Sequence, residues 1–99
     1  MYFHIFGFRW KPEVTEAQKA RATVDIQAFR GKIPGLQEVH VGQNQSTKGQ
    51  GYTFVGVMRF AGKQACDDYV VHPQHQALLV WLKPLIDPIE LDFLALDQG

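Results

Sequence analysis

The sequence predicts an α+β fold with a four-stranded antiparallel sheet, and three observations carry that prediction. Segments with apolar residues at period two alternate with segments whose apolar residues recur every three or four positions. Their order along the chain is β-α-β-β-α-β, with the second helical region broken at Pro73. The 99 residues suffice for one compact domain spanning the whole chain, and they contain no repeat and no linker.

Taken in order, "YFHIFGFRW" (Tyr2 to Trp10) is aromatic and β-rich and predicts a first strand buried on both faces, ended by Pro12. In "TEAQ", Thr15 is the expected N-cap and Gln18 is spaced to reach back to the cap's amide. This helix is expected to run to about Lys32, where "IPG" stops it, with Ala22, Ile26, Phe29 and Ile33 on one stripe. Ala17, Ala20, Val24 and Ala28 form a second, smaller stripe. A second strand is expected within Leu36 to Gln43. The polar, glycine-rich "NQSTKGQG" lacks the Gly-Lys-Ser/Thr ending of a phosphate loop and is read as a hairpin connection. Tyr52 to Phe60 is the third strand. A short helix over roughly Lys63 to Val71 precedes one opened by Pro73 and closed by Pro84, and Ile89 to Leu96 is the last strand. This is the split-βαβ, ferredoxin-like order, in which both helical regions lie on one face of the sheet.

The other face of that sheet is the first clue to assembly. His4, Phe6 and Phe8 point to one side of the first strand, and Phe3, Ile5 and Gly7 to the other. Phe54, Gly56 and Met58 oppose Val55 and Val57 in the third strand, while Leu91 and Phe93 oppose Glu90 and Asp92 in the last. A sheet wetted on one side would carry polar residues there. Each large apolar side chain left in water forgoes about 1.5–3 kcal/mol of burial. The expected cover is the same face of a second copy, giving a two-fold homodimer that encloses a barrel-like interior.

Composition excludes several functions. Ten basic residues balance ten acidic ones and no segment concentrates the positives, so nucleic acid is not an expected partner. Apolar residues make up 45%, with no tract long enough to span a membrane. The apolar start lacks the basic region and the small-residue cleavage site of a signal peptide. The single cysteine, Cys66, has no internal disulfide partner and fits a reducing compartment, so a soluble cytoplasmic domain is expected.

Residues that carry chemistry concentrate in "DDYVVHPQH" (Asp67 to His75), which holds two of the four histidines. Part of this run has a structural explanation. Pro73 suits the first turn of a helix, where its missing N–H would be unpaired anyway. His72 is then a poor N-cap, His75 an ordinary first-turn residue, and Tyr69 a buried aromatic whose hydroxyl finds a partner. His72 and His75 also have a His-x-x-His spacing, with His4 as a third nitrogen. A zinc site would need three convergent ligands and an open position, which this spacing does not ensure, so no metal and no cofactor are expected.

His4 early in the first strand, "GYT" opening the third, and "DYVVHPQH" at the helix break together resemble the stress-responsive dimeric α+β barrel domain family. The resemblance spans essentially the whole chain, and Tyr-x-x-His-Pro-x-His is its most specific part. It implies a ferredoxin-like protomer, a homodimer, and a pocket between sheet and helices. Many members have no assigned activity; some plant members are polyketide cyclases that close a linear poly-β-ketone by cofactor-free intramolecular aldol condensation. The resemblance implies that Tyr69 and His75 are the working pair and that His4 belongs to the pocket. Where the cyclases place another histidine after "GYT", this chain has Phe54, and Phe6, Phe8 and Trp10 make its first strand bulkier.

The chemistry of such a pair is simple. A first-turn imidazole is held neutral by the helix N-terminus and by burial, as a general base near pH 7 requires. A tyrosine hydroxyl donates to a carbonyl oxygen as negative charge develops there. The expected pocket is lined by His4, Phe6, Phe8, Ile26, Phe54, His72 and Trp81 and takes a small-molecule ligand. Expected function is cofactor-free acid–base catalysis on a carbonyl or polyketide-like compound. The alternative is a non-catalytic stress-associated binding or scaffolding protein whose pocket is filled by aromatic rings. Elsewhere, His40 is read as a surface or dimer contact and Cys66 as no nucleophile. Glu90 and Asp92 are read as a solvated edge, with orientation of His4 as the alternative.

Overall fold

The computed structural model describes residues 1–96. The elements are β1 (Tyr2–Trp10), α1 (Glu16–Gln27), β2 (Leu36–Gln43), β3 (Phe54–Phe60), α2 (Lys63–Val70), α3 (Pro73–Leu82) and β4 (Ile86–Leu94), with a 3-10 turn at Lys83–Leu85 before β4. The strands form one antiparallel sheet in the order β2-β3-β1-β4, the ferredoxin-like arrangement. The most hydrophobic strands, β1 and β3, therefore take the centre.

Local chemistry sets the boundaries. The Thr15 hydroxyl accepts from the Gln18 amide while Gln18 Oε1 accepts from the Thr15 amide, the expected capping box. The α1 helix ends five residues before the expected Lys32, because the chain turns through Gly31 with φ of 78°. Phe29 and Ile33 still reach the core, from the turns beyond the helix, whereas Val24 of the second stripe faces solvent. Tyr52 falls in the β2–β3 connection rather than in β3, beneath the Arg9 guanidinium, 4.2 Å from its ring centre. The last strand starts at Ile86, not Ile89, and ends at Leu94. Pro88 sits inside it, which is tolerated because β4 is an edge strand bonded only to β1. Pro84 falls in the 3-10 turn beyond α3.

The helices cover one face. His4, Phe6 and Phe8 of β1 and Phe54, Met58 and Phe60 of β3 are buried there against Ile26, Leu78 and Leu82. On the other face, registered neighbours continue an apolar surface: Phe3 beside Phe93, and Ile5 between Val57 and Leu91. The Phe3 and Phe93 rings stack with centroids 5.1 Å apart. Leu91 remains 57% exposed and Phe93 47%, so the isolated chain leaves this face largely uncovered.

Candidate active site

The break between α2 and α3 assigns its two histidines different tasks. His72 takes an extended backbone as N-cap of α3, and its Nδ1 accepts the Gln74 amide at 3.1 Å. Pro73 follows in the first turn. His75 turns the other way in chemical terms: its Nδ1 lies 2.9 Å from the Val70 carbonyl oxygen. A carbonyl only accepts, so Nδ1 carries the proton and Nε2 keeps its lone pair. The Gln76 side chain donates to the same carbonyl at 2.7 Å, so a terminal carbonyl of α2 is satisfied by two side chains from α3.

Tyr69, in the last turn of α2, lies among the rings of Phe29, Phe60, His4 and His75. Its centroid is 4.3 Å from that of His75 and 6.1 Å from that of His4. The residue is buried, yet its hydroxyl has no hydrogen-bond partner among the described residues, and no side-chain oxygen is both sealed from solvent and unpaired. The hydroxyl therefore opens onto the cavity that Tyr69 lines. The structural explanation of Tyr69, in which its hydroxyl finds a partner, is not met among the described residues; the donor is open to a ligand.

That cavity, about 390 Å³, lies between the sheet, α1 and α3. His4, Phe6, Phe8, Ile26, Tyr69 and His75 all line it, as do Met58, the α3 leucines, Lys83 and Glu90. Three residues expected in its wall are elsewhere. His72 is taken by its capping role, and Phe54 stacks on Phe8 at 5.3 Å on the side nearer β2. Trp81 turns into the groove between α3 and α1, where the Arg21 guanidinium sits 4.1 Å from its ring centre. The aromatic rings do not fill the space, and Gly56 is one reason. A side chain at that position would strike the tip of the Phe6 ring, so the glycine lets Phe6 lie over β3.

Electrostatics suit the arrangement. Burial lowers the His75 pKa from its ordinary value, outweighing the Val70 hydrogen bond that favours the charged ring. Burial, reinforced by Cys66 and Glu90, raises the Tyr69 pKa, so the phenol stays a donor. His4 is anchored by Asp92, its cross-strand partner on β4, at 2.7 Å from Nδ1 to Oδ1. Asp92 is thus a positioning residue rather than a solvated edge, and Glu90 lines the cavity. The sequence offers this pair only as an alternative reading, through the expected strand order; strand register selects Asp92 and brings together residues 88 apart. His40 is exposed on the helix-free face and bonded to Glu38 at 3.1 Å. Among the described residues, no group of metal-ligating atoms combines His72, His75 and His4.

Comparison with known proteins agrees with this fold. The stress responsive A/B barrel domain matches residues 3–97. The olivetolic acid cyclase of Cannabis sativa is 31% identical over 74 residues, covering 73% of each chain. A dimeric ferredoxin-like protein from Thermobifida fusca superposes with a TM-score of 0.82 at 26% identity, covering 95% of this chain and 90% of that one. The hydroxynitrile lyase of Passiflora edulis shares the fold, with a TM-score of 0.87 at 14% identity over 99% of this chain and 94% of that one. No helix among the described residues is long and apolar enough to cross a membrane. A family match over nearly the whole length, on a ferredoxin-like sheet with its helices on one side, makes this chain a member of the stress-responsive A/B barrel domain family.

Proposed function

We propose that the chain acts as a homodimer closed through the helix-free sheet face, and that its cavity performs cofactor-free acid–base chemistry on a carbonyl compound of the aldol or cyclase type. One observation carries the chemical part: an unpartnered Tyr69 hydroxyl and the lone-pair nitrogen of a neutral His75 share an open, mostly apolar cavity. An open cavity supports catalysis over the filled pocket of a scaffold. Similarity to a cyclase supports it from a second direction, and the dimeric relative supports the assembly.

In this reading, His75 Nε2 removes a proton from the carbon next to a carbonyl. The C–H electron pair moves into the carbon framework, and the Tyr69 hydroxyl donates to the resulting enolate oxygen. The enolate carbon then bonds to a second carbonyl carbon, whose oxygen becomes an alkoxide and recovers the proton from the His75 imidazolium. Atoms and charge balance without a cofactor. His4, fixed by Asp92, orients the substrate beside this pair.

Turnover of β-diketo and poly-β-keto probes tests the assignment. His75→Gln should lower kcat/KM by at least about a hundredfold, the lower range for a general base, and Tyr69→Phe by about tenfold or more, as one charge-stabilising donor is lost. Melting temperature and sedimentation should stay close to wild type. Full activity in His75→Gln removes His75 from the mechanism.

A further inference from the structure

Behind the cavity wall, a second cluster joins residues that the proposed reaction leaves largely unused. His4 of β1 and Asp92 of β4 are registered partners on the helix side of the sheet, and α2 lays Cys66 against them. One donor atom from each residue lies within 4.8 Å of the other two. Cys66 and His4 are buried, while the Asp92 side chain is 35% exposed and leaves a way in from solvent. Asp92 has no Lys or Arg salt bridge among the described residues; its one ion-pair partner is His4. The nearby Lys63 is engaged with Asp67 at 2.9 Å. A carboxylate, an imidazole and a thiol thus converge with no fixed cation between them.

We propose that His4, Cys66 and Asp92 form a binding site for a divalent cation of the zinc type. The donor set selects the class. A sulfur and an imidazole nitrogen favour borderline-soft ions such as Zn²⁺ or Co²⁺, whereas Mg²⁺ and Ca²⁺ need shells of oxygen. Zinc bonds of about 2.0–2.3 Å in a tetrahedron set ligand atoms roughly 3.3–3.7 Å apart. The 2.7 Å His4–Asp92 contact must therefore open by on the order of half an ångström, and the sulfur starts within 4.8 Å of both partners. A neutral His4 ligates through a ring lone pair, either Nε2 or Nδ1 in the tautomer that carries its proton on Nε2, and Cys66 ligates as thiolate, with the displaced thiol proton leaving to solvent. Three protein donors leave one tetrahedral position for water. Because His4 also lines the cavity, an ion here fixes the imidazole that borders the ligand. The site shares His4 and Asp92 with the proposed reaction but needs neither His75 nor Tyr69, so a metal titration tests it apart from turnover.

The test is titration of the chelator-treated full chain with Co²⁺, followed by Zn²⁺. Wild type should develop an intense near-ultraviolet sulfur-to-cobalt charge-transfer band that saturates at one equivalent and is bleached by Zn²⁺ but not by Mg²⁺. The band should vanish in Cys66→Ser, and Co²⁺ affinity should fall at least tenfold in Asp92→Asn. His72→Gln and His40→Gln should behave as wild type. Absence of the band in folded wild type overturns the proposal whatever the variants do, and so does equal affinity in a Cys66→Ser chain whose circular dichroism shows it folded. A band that persists in Asp92→Asn with unchanged affinity overturns the three-ligand assignment.

Discussion

The two faces of the sheet are both apolar, and they end in opposite states. Residues alternating along β1 send Phe6 and Phe8 under the helices and Phe3 and Ile5 to the bare side. Under the helices, burial is nearly complete, yet room remains for a cavity edged with imidazole, phenol and carboxylate groups. On the bare side the central positions are mostly Val, Ile, Leu and Phe in cross-strand contact, with polar groups such as His40 and Glu38 kept to the β2 edge, and Leu91 and Phe93 stay open to water. Hydrophobicity alone does not separate a site from an interface. What separates them is polar groups placed inside an apolar shell by elements that meet at an angle, as α2 and α3 do at the His72–Pro73 break.

The sharpest way to break this comparison is to charge the bare side. Leu91→Asp should leave the lone chain folded, because Leu91 is already 57% exposed in it. It should weaken dimerisation by at least about a hundredfold, since each copy loses roughly 1.5–3 kcal/mol of burial in a two-fold interface. Sedimentation across a concentration series reads this directly. A wild-type chain that sediments as a monomer at micromolar concentration ends the dimer proposal.

A smaller change tests the covered side. Gly56→Ala puts a methyl into the Phe6 ring, and overpacking of this kind costs about 1–3 kcal/mol. Thermal unfolding should record that loss, and Phe6→Leu in the same chain should recover most of it. If Gly56→Ala melts like wild type, Phe6 does not owe its position to the glycine.

The smallest effect is one of pH. His75 titrates below its ordinary value of 6.5 in the folded chain. Well above pH 6.5 neither the folded nor the unfolded chain protonates it appreciably, so the pH slope it contributes fades there. As pH falls below 6.5 the unfolded chain takes up the proton while the folded chain resists. Stability therefore declines until pH has passed through the folded value, then levels off. The same lowering keeps the base available, so the acidic limb of kcat/KM should lie below pH 6.5. Denaturant midpoints for wild type and His75→Gln isolate the slope, and an acidic limb at or above 6.5 contradicts the assignment.

Much of this architecture is legible in the sequence alone. Strand and helix order, the Thr15–Gln18 capping box and the bare apolar face follow from periodicity and spacing, which are local properties of the chain. The run from Tyr69 to His75 was also visible, because a proline marks a helix start wherever it falls. The errors have a common cause. Trp81, Phe54 and His72 have the residue types of a pocket wall, yet each was claimed by a neighbour: Arg21, Phe8 and the Gln74 amide respectively. Composition does not reveal which partner a side chain will choose.

The sequence by itself determined which segments become strands and helices, and that one sheet would be apolar on both sides, because side-chain period and backbone preference act over a few residues. Only the tertiary structure decided that Asp92 reaches His4, that Cys66 joins them, and that His75 carries its proton on Nδ1. Those outcomes depend on strand register and on the meeting of two helix ends, and contacts between residues distant in the chain leave no trace in local spacing.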